Sequence, residues 1–163
     1  MNREDKIKEL EETIKKAQEQ IQELKAMENS KVWKPKENRE YWYITEEGVV
    51  DTGVWEDFEC EKRMYAIGNC FKTEKEAEEA IEIKKIDTEL RRYAIEHNEK
   101  DIDWTNINKR KYYIYFDTNK KILDIGVVIT LKEHRGIYFT SKEIALAAIE
   151  AIGKDRVEKW AKA

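Results

Sequence analysis

The sequence predicts an α+β fold, in which an N-terminal coiled-coil helix precedes two similar β-β-β-α modules with mainly antiparallel sheet. Three observations lead to this prediction. Apolar residues recur three and four positions apart at the start of the chain, aromatic strand-like runs end in turn residues, and two later segments resemble each other. The predicted units are residues 1–28, 29–100 and 101–163.

A heptad pattern of apolar side chains occupies the first 28 residues. Isoleucine fills every a position and leucine or alanine every d position, giving Ile7, Leu10, Ile14, Ala17, Ile21 and Leu24. β-Branched residues at a with leucine at d favour a parallel two-stranded coiled coil, and Lys6 at g can pair with Glu11 at e of a second helix. The pattern therefore predicts a homo-oligomer, with a dimer favoured. Docking of the same helix on its own domain is the alternative.

The rest of the chain contains two similar segments, residues 71–82 and 139–150. Both begin with phenylalanine, carry alanine at the same two positions and end in Ala-Ile-Glu. Upstream, residues 42–44 resemble residues 112–114 at nearly the same offset. A spacing of about seventy residues is too long for a solenoid repeat, so it predicts a duplicated small module. Chance similarity is the alternative.

Local signals give each module three strands and a helix. Strands are predicted at 41–45, 49–55 and 63–67 in the first module and at 111–116, 121–130 and 136–139 in the second. Thr73 with Glu76 forms a capping box that begins a helix through about Asn98, and Thr140 with Glu143 is predicted to cap the last helix.

Beyond Glu82 the long helix carries a second apolar stripe on a different sector of its surface, formed by Ile83, Ile86, Leu90 and Tyr93. This stripe cannot face the sheet of its own module. We expect it to pack inside the chain, against the other module or the N-terminal helix, and otherwise to be a candidate partner-binding surface.

Both faces of the predicted strands carry large aromatic side chains. Tyr41, Tyr43, Tyr113 and Tyr115 are the candidate binding residues among them. Burial in the core is the simplest expectation for aromatic residues in strands. An exposed aromatic face would instead bind a protein partner, or stack unpaired bases with help from the basic run 109–111.

No arrangement of residues in the sequence points to catalysis. Neither His97 nor His134 has a cysteine or histidine near it at metal-ligand spacing, and Cys60 and Cys70 do not form a CxxC pattern. The acidic turn 101–103 is more typical of a cap or a solvated loop. Isolated glycines give no phosphate-binding loop. The sequence therefore predicts no cofactor, no metal and no enzymatic activity.

The composition combines a charged exterior with an aromatic interior. Charged residues make up 40 % of the 163, yet aromatic residues reach 10 %, which disordered chains do not show. A net charge of −4 provides no basic field for nucleic acid, although binding through a local aromatic face stays open. No apolar run approaches the roughly 20 residues that cross a bilayer, so no membrane partner is expected. A charged N-terminus and two cysteines favour the cytoplasm.

Two stretches resemble small proteins of bacteriophages and prophages of Gram-positive hosts. The first runs from Tyr41-Trp-Tyr-Ile through Trp55-Glu-Asp to Gly-Asn-Cys-Phe-Lys-Thr-Glu-Lys-Glu-Ala-Glu78, and the second is Tyr138-Phe-Thr-Ser-Lys-Glu-Ile-Ala145. The dipeptide Asp103-Trp104 shares the resemblance. Members of this group commonly carry an optional N-terminal coil. The resemblance implies a compact accessory protein that acts in the host cytoplasm, and its motifs are turns and caps.

Taken together, these observations predict a non-enzymatic, oligomerising phage accessory protein that binds and inhibits a bacterial defence or host protein. Two alternatives stay open from the sequence. One is single-stranded nucleic-acid binding through an aromatic sheet face, and the other is sequestration of a nucleotide signal between the two modules.

Overall fold

The computed structural model describes residues 3–28, 32–130 and 136–163 and shows a mixed α+β fold, which confirms the predicted class. The described part of the chain contains five helices and four strands. In chain order they are α1 (Arg3–Glu28), β1 (Glu40–Ile44), β2 (Val50–Val54), α2 (Glu59–Ala66), α3 (Glu74–His97), β3 (Lys111–Asp117), β4 (Ile122–Val128), α4 (Lys142–Ile152) and α5 (Lys154–Lys162).

The strands form two antiparallel hairpins. β1 pairs with β2 from Glu40–Val54 to Ile44–Val50, and β3 pairs with β4 over seven residue pairs. The two turns contain residues with positive φ angles. Gly48 suits this conformation because it has no side chain, whereas Lys121, at the start of the predicted strand 121–130, adopts it as a turn residue. Each hairpin is a separate two-stranded sheet.

A single backbone bridge adds a third chain segment to each hairpin. Trp42 and Phe71 exchange two N–H···O bonds of 3.0 and 2.8 Å, and Tyr112 and Phe139 exchange two bonds of the same lengths. The third strand predicted at 136–139 is therefore wrong as a strand and survives only as this bridge at Phe139.

Each bridge is followed two residues later by the N-cap of a helix. Thr73 accepts the amide of Glu76 at 3.2 Å, as predicted, while the Glu76 carboxylate accepts the amide of Lys72 at 2.9 Å in place of the Thr73 amide that a capping box would use. In the second half the cap is Ser141, which accepts the amide of Ile144 at 3.2 Å. The predicted cap at Thr140 is wrong, because the Thr140 hydroxyl donates to Asn98 Oδ1 at 3.3 Å and the N-cap is the next residue, Ser141.

The third strand predicted at 63–67 in the first half is also wrong, because residues 59–66 form α2. The buried carboxylate of Glu61 explains this result. It accepts the amides of Glu56 at 3.0 Å and Phe58 at 2.8 Å, so it satisfies backbone donors at the start of a helix. The helix then places Tyr65 against the ring of Trp55.

The largest core cluster lies where α3 meets the second half. α3 is long enough to contact the first hairpin near its N-terminus and α4 and α5 along the rest of its length. The fully buried members of this cluster share the interior surfaces of α3, α4, α5 and the Phe139 segment, and are Ile86, Leu90, Phe139, Ala145, Ala148 and Val157. The predicted boundary at residue 100 falls between α3 and β3, and this core crosses it.

Polar contacts fix the same junction from outside. The guanidinium of Arg156 on α5 donates to the Glu89 carboxylate at 2.8 and 3.0 Å and to Glu82 at 2.8 Å. This bidentate pairing holds the pKa of Glu89 below its usual range. At the other end of α3, Asn98 donates to the carbonyl of Tyr138 at 3.1 Å. The hairpin, the bridge and the capped helix therefore recur in both halves, while their common origin stays a prediction.

Candidate interaction surfaces

The predicted heptad residues of α1 form an exposed apolar stripe. Four of them have side chains about half exposed, with values of 49 % for Ile7, 55 % for Leu10, 56 % for Ile14 and 50 % for Ile21. Ala17 is also exposed, and Leu24 belongs to α1 while its side chain lies outside the described part of the structure. The stripe is therefore not packed against the rest of the described chain.

The other notable feature is a row of four aromatic rings in each half of the chain. The first aromatic row consists of Tyr65, Trp55, Tyr41 and Tyr43, with successive ring centroids 6.4, 5.5 and 5.8 Å apart. The second aromatic row consists of Trp104, Tyr138, Tyr113 and Tyr115, with spacings of 5.1, 6.3 and 5.8 Å. Each row thus places two tyrosines from one strand beside two aromatic residues from elsewhere.

In the first hairpin, the strand tyrosines face an Asp-x-Gly sequence on the partner strand. Tyr43 lies opposite Asp51 and donates its hydroxyl to Oδ2 at 3.3 Å, while Tyr41 lies over Gly53. The other oxygen of Asp51, Oδ1, accepts the amide of Thr52 at 2.8 Å. The carboxylate is therefore shared between a cross-strand tyrosine and the backbone.

The second hairpin repeats this arrangement. Tyr115 lies opposite Asp124 and donates to Oδ2 at 3.4 Å, and Asp124 Oδ1 accepts the amide of Ile125 at 2.8 Å. Tyr113 lies so closely over Gly126 that a β-carbon there would overlap its ring. Only glycine allows this contact.

The two rows differ in what covers them. The exposed fraction of Tyr41 is 3 % and that of Trp55 is 2 %, whereas that of Tyr113 is 36 %. Residues 33–39 run along the first row. Within this segment Lys34 Nζ lies 5.9 Å from the Trp55 ring centroid, and the Trp33 carbonyl accepts the Tyr65 hydroxyl at 3.4 Å. Burial raises the pKa of Tyr41 to about 12.

A buried lysine, Lys111, lies beside the second row. The ammonium of Lys111 donates to the carbonyls of Asn106 at 3.2 Å and Thr130 at 3.0 Å, and it lies 5.4 Å from the Trp104 ring centroid. Lys111 is only 1 % exposed. The base-stacking hypothesis therefore lacks two of its expected contributors, since Tyr41 and Lys111 are both inaccessible.

The apolar stripe of α3 is core. Ile86 and Leu90 have no exposed surface, and Tyr93 packs against the same cluster, while Ile83 is half-buried. The structure thus selects the intramolecular alternative, and Ile86 and Leu90 are corrected from candidate partner-binding residues to core residues. The reason is that α4 and α5 cover this side of α3.

Chemically reactive side chains are scattered. His97 stacks on Tyr93 with ring centroids 3.8 Å apart, and His134 lies outside the described residues. Burial raises the pKa of the Cys70 thiol to about 11, so that this thiol is protonated at neutral pH, and Cys60 is exposed. Among the described residues no group of three or more His, Cys, Asp or Glu side chains is placed to hold a metal ion.

Two open clefts lie side by side at the C-terminal end of α3. They have volumes of about 400 and 330 Å³ and share Lys100, Asp101 and Ile102 in their walls.

Asp103 has a lowered pKa because it accepts bonds from the Thr105 hydroxyl and amide. The predicted acidic turn is therefore a local cap.

Some surface residues were not anticipated by the sequence. Trp104 and Tyr138 complete the second row, and Asp124 and Gly126 support it from β4. An available signal was the pairing of Tyr-x-Tyr with Asp-x-Gly, which occurs once in each half.

No protein-family model matches this chain, and no curated protein or solved structure matches it at a significant level. None of the five helices in the described ranges has an apolar stretch long enough to cross a bilayer. The geometry of the surfaces is therefore the basis for the function proposed below.

Proposed function

We propose that this chain is a non-enzymatic protein-binding module that forms a parallel dimer through α1. The observation that carries the proposal is the half-exposed stripe of Ile7, Leu10, Ile14 and Ile21. Isoleucine at a with leucine at d is the combination that favours two strands. Burial of the remaining apolar surface would contribute roughly 1 kcal/mol for each side chain.

Charge on the flanks of the stripe supports a parallel arrangement of two copies. Lys6 at g and Glu11 at e are both exposed. In a parallel pair, the g position of one helix lies next to the e position of the other, so Lys6 of one copy can pair with Glu11 of the second. Within one helix, Thr13 occupies the next g position, and its hydroxyl donates to the carbonyl of Glu9 at 2.8 Å. A second copy is therefore a better fit to α1 than an unrelated apolar surface.

The proposed biological role is that of a phage accessory protein that inhibits a host or defence protein. Two kinds of observation support it. The Tyr41–Glu78 and Tyr138–Ala145 stretches resemble such proteins, and the available surfaces are an apolar helix and an aromatic face, which are typical of protein interfaces. We further propose that the two halves arose by duplication, since the bridge, the cap and the Tyr-x-Tyr motif occur in both.

The dimer is tested with one substitution on the stripe and a matched one beside it. Ile14→Gln places an amide at a central a position, and Lys15→Gln places the same residue on the outer side of the helix. Light scattering of the full chain should give a dimer mass for the parent and for K15Q. The I14Q variant should dissociate at concentrations at least tenfold higher than the parent does, because its seam loses a buried apolar contact.

A parent protein that is monomeric at every concentration would refute the dimer. The protein-binding class is tested separately, by capture from a lysate of the Gram-positive host with the parent and I14Q proteins. A stoichiometric protein retained in both cases supports a binding surface outside α1. Retention of nucleic acid alone would instead favour the base-stacking alternative.

A further inference from the structure

We infer that the second aromatic row is a docking site for an extended peptide segment that carries lysine or arginine beside proline or another apolar residue. This inference rests on the proposed protein-binding function and adds the surface and the chemistry of the partner. The site consists of Trp104, Tyr138, Tyr113 and Tyr115 on the hairpin face opposite the core.

The first aromatic row shows what kind of chain covers such a surface. Its cover is the segment 33–39, in which Pro35 is buried and the Lys34 ammonium lies over the Trp55 ring. The segment is held through its backbone carbonyls. The Tyr65 hydroxyl donates to the Trp33 carbonyl, and the Trp55 amide donates to the Arg39 carbonyl at 3.0 Å. The first row is thus covered by a basic segment that places one lysine over one of its rings, and we expect a similar segment to bind the second row.

Charge at the second row favours the same chemistry. Carboxylates lie near both ends of the row. Asp124 and Asp117 lie near Tyr115, where Asp117 is paired with Lys120 at 3.4 Å, and Asp103 is next to Trp104 in the chain. The two aspartates near Tyr115 contribute, after burial, to raising the pKa of its phenol. Lys111 offers no exposed ammonium, because its side chain is buried and bonded to two carbonyls. The Asp124 carboxylate attracts a cationic segment at this end of the row.

The spacing of the rings fits an extended chain. Successive centroids in the second row are 5.1 to 6.3 Å apart. Alternate residues of an extended peptide are separated by about 6.6 Å, so side chains at i and i+2 can contact neighbouring rings. Lys34 and Lys36, both in the segment 33–39 that covers the first row, are two residues apart in this way.

The probe for the test is a labelled peptide with the sequence of residues 32–37, Val-Trp-Lys-Pro-Lys-Glu, titrated against the full chain by fluorescence anisotropy. The informative variant is Tyr115→Thr, and its matched control is Tyr43→Thr. Each removes one ring from the end of a row and one Tyr–Asp hydrogen bond, 3.4 Å long at Tyr115 and 3.3 Å long at Tyr43. We expect saturable binding that Y115T weakens at least tenfold and Y43T leaves unchanged.

Equal weakening by both variants, or no saturable binding, would overturn the inference. A peptide with both lysines replaced by glutamate should bind at least tenfold more weakly, and equal binding would refute the charge argument. Binding of oligo-dT without binding of the peptide would assign the row to single-stranded nucleic acid. The dimer mass and the lysate capture are measured independently. A peptide that does not bind therefore contradicts this inference and not the proposed function.

Discussion

The two aromatic rows show how the same strand chemistry is buried at its centre in one half and left partly exposed in the other. Each row uses a Tyr-x-Tyr strand against an Asp-x-Gly strand, with a tyrosine over the glycine and a tyrosine bonded to the aspartate. The first row is closed by residues 33–39 and α2, and Tyr41 is 3 % exposed, whereas Tyr113 in the second is 36 % exposed. Burial is therefore decided by the neighbouring segments.

The largest expected difference between the halves concerns the two bridge phenylalanines. Phe139 has no exposed surface, while Phe71 is only half-buried, although both make the same backbone bridge. Phe139→Ala should lower the free energy of unfolding by about 3–5 kcal/mol, since it opens a cavity in the main core, and Phe71→Ala should cost clearly less. Urea unfolding of both variants measures the difference, and equal losses would show that the cores are energetically equivalent.

The second prediction uses the alkaline titration of the closed row. The pKa of Tyr41 is raised from 10.0 to about 12, mainly by burial. The folded state therefore keeps the neutral phenol that the unfolded state loses above pH 10. Stability present below pH 10 should fall progressively as the pH rises to 12, by an amount on the order of 2–3 kcal/mol. Unfolding measured across this range should show the loss in the parent and a reduced loss in Tyr41→Phe, and identical pH profiles would contradict it.

The smallest expected effect concerns the outer edges of the two hairpins. β2 and β4 pair with no second strand in the described part of the chain, and Asp51 and Asp124 each hold the amide of the next residue. Asp51→Ala or Asp124→Ala loses this bond together with the bond from the cross-strand tyrosine hydroxyl, and each lost bond should cost about 0.5–1.5 kcal/mol.

The two edge variants should differ in association. β4 is a seven-residue apolar edge, and β2 has five residues including Thr52, so Asp124→Ala should associate at lower concentration than Asp51→Ala. Analytical ultracentrifugation of both variants, each with Ile14→Gln to remove the helix contact, measures this order. The reverse order would mean that these carboxylates do not protect the edges.

Much of the fold could be predicted because its signals are local. The hairpins follow from alternating strands around turns, and α3 follows from Thr73 and Glu76 at its start. α2 could not be predicted this way, because its start depends on a buried Glu61 carboxylate that satisfies two backbone amides. The sequence alone did not decide whether Ile86 and Leu90 are buried, because their burial depends on the packing of α4 and α5 against α3.

The aromatic rows were predicted only in part. Aligning residues 42–44 with 112–114 matches the two bridge positions, but the Tyr-x-Tyr motif lies two residues further along in the second half, at 113–115 against 41–43. A shift of two keeps the side chains on the same face of a strand, so the motif is preserved in space while the alignment obscures it. Trp104 and Tyr138 come from loops, whose positions no strand pattern specifies.

The shared helix α3 also bears on how the protein is made. Its apolar residues Ile86 and Leu90 leave the ribosome before Phe139 and Val157, which complete the cluster around them. At synthesis rates of about 5–20 residues per second, this surface stays uncovered for several seconds. A nascent chain in that interval exposes an apolar surface that chaperones can bind, and the interval ends when α5 has been synthesised and packs on α3.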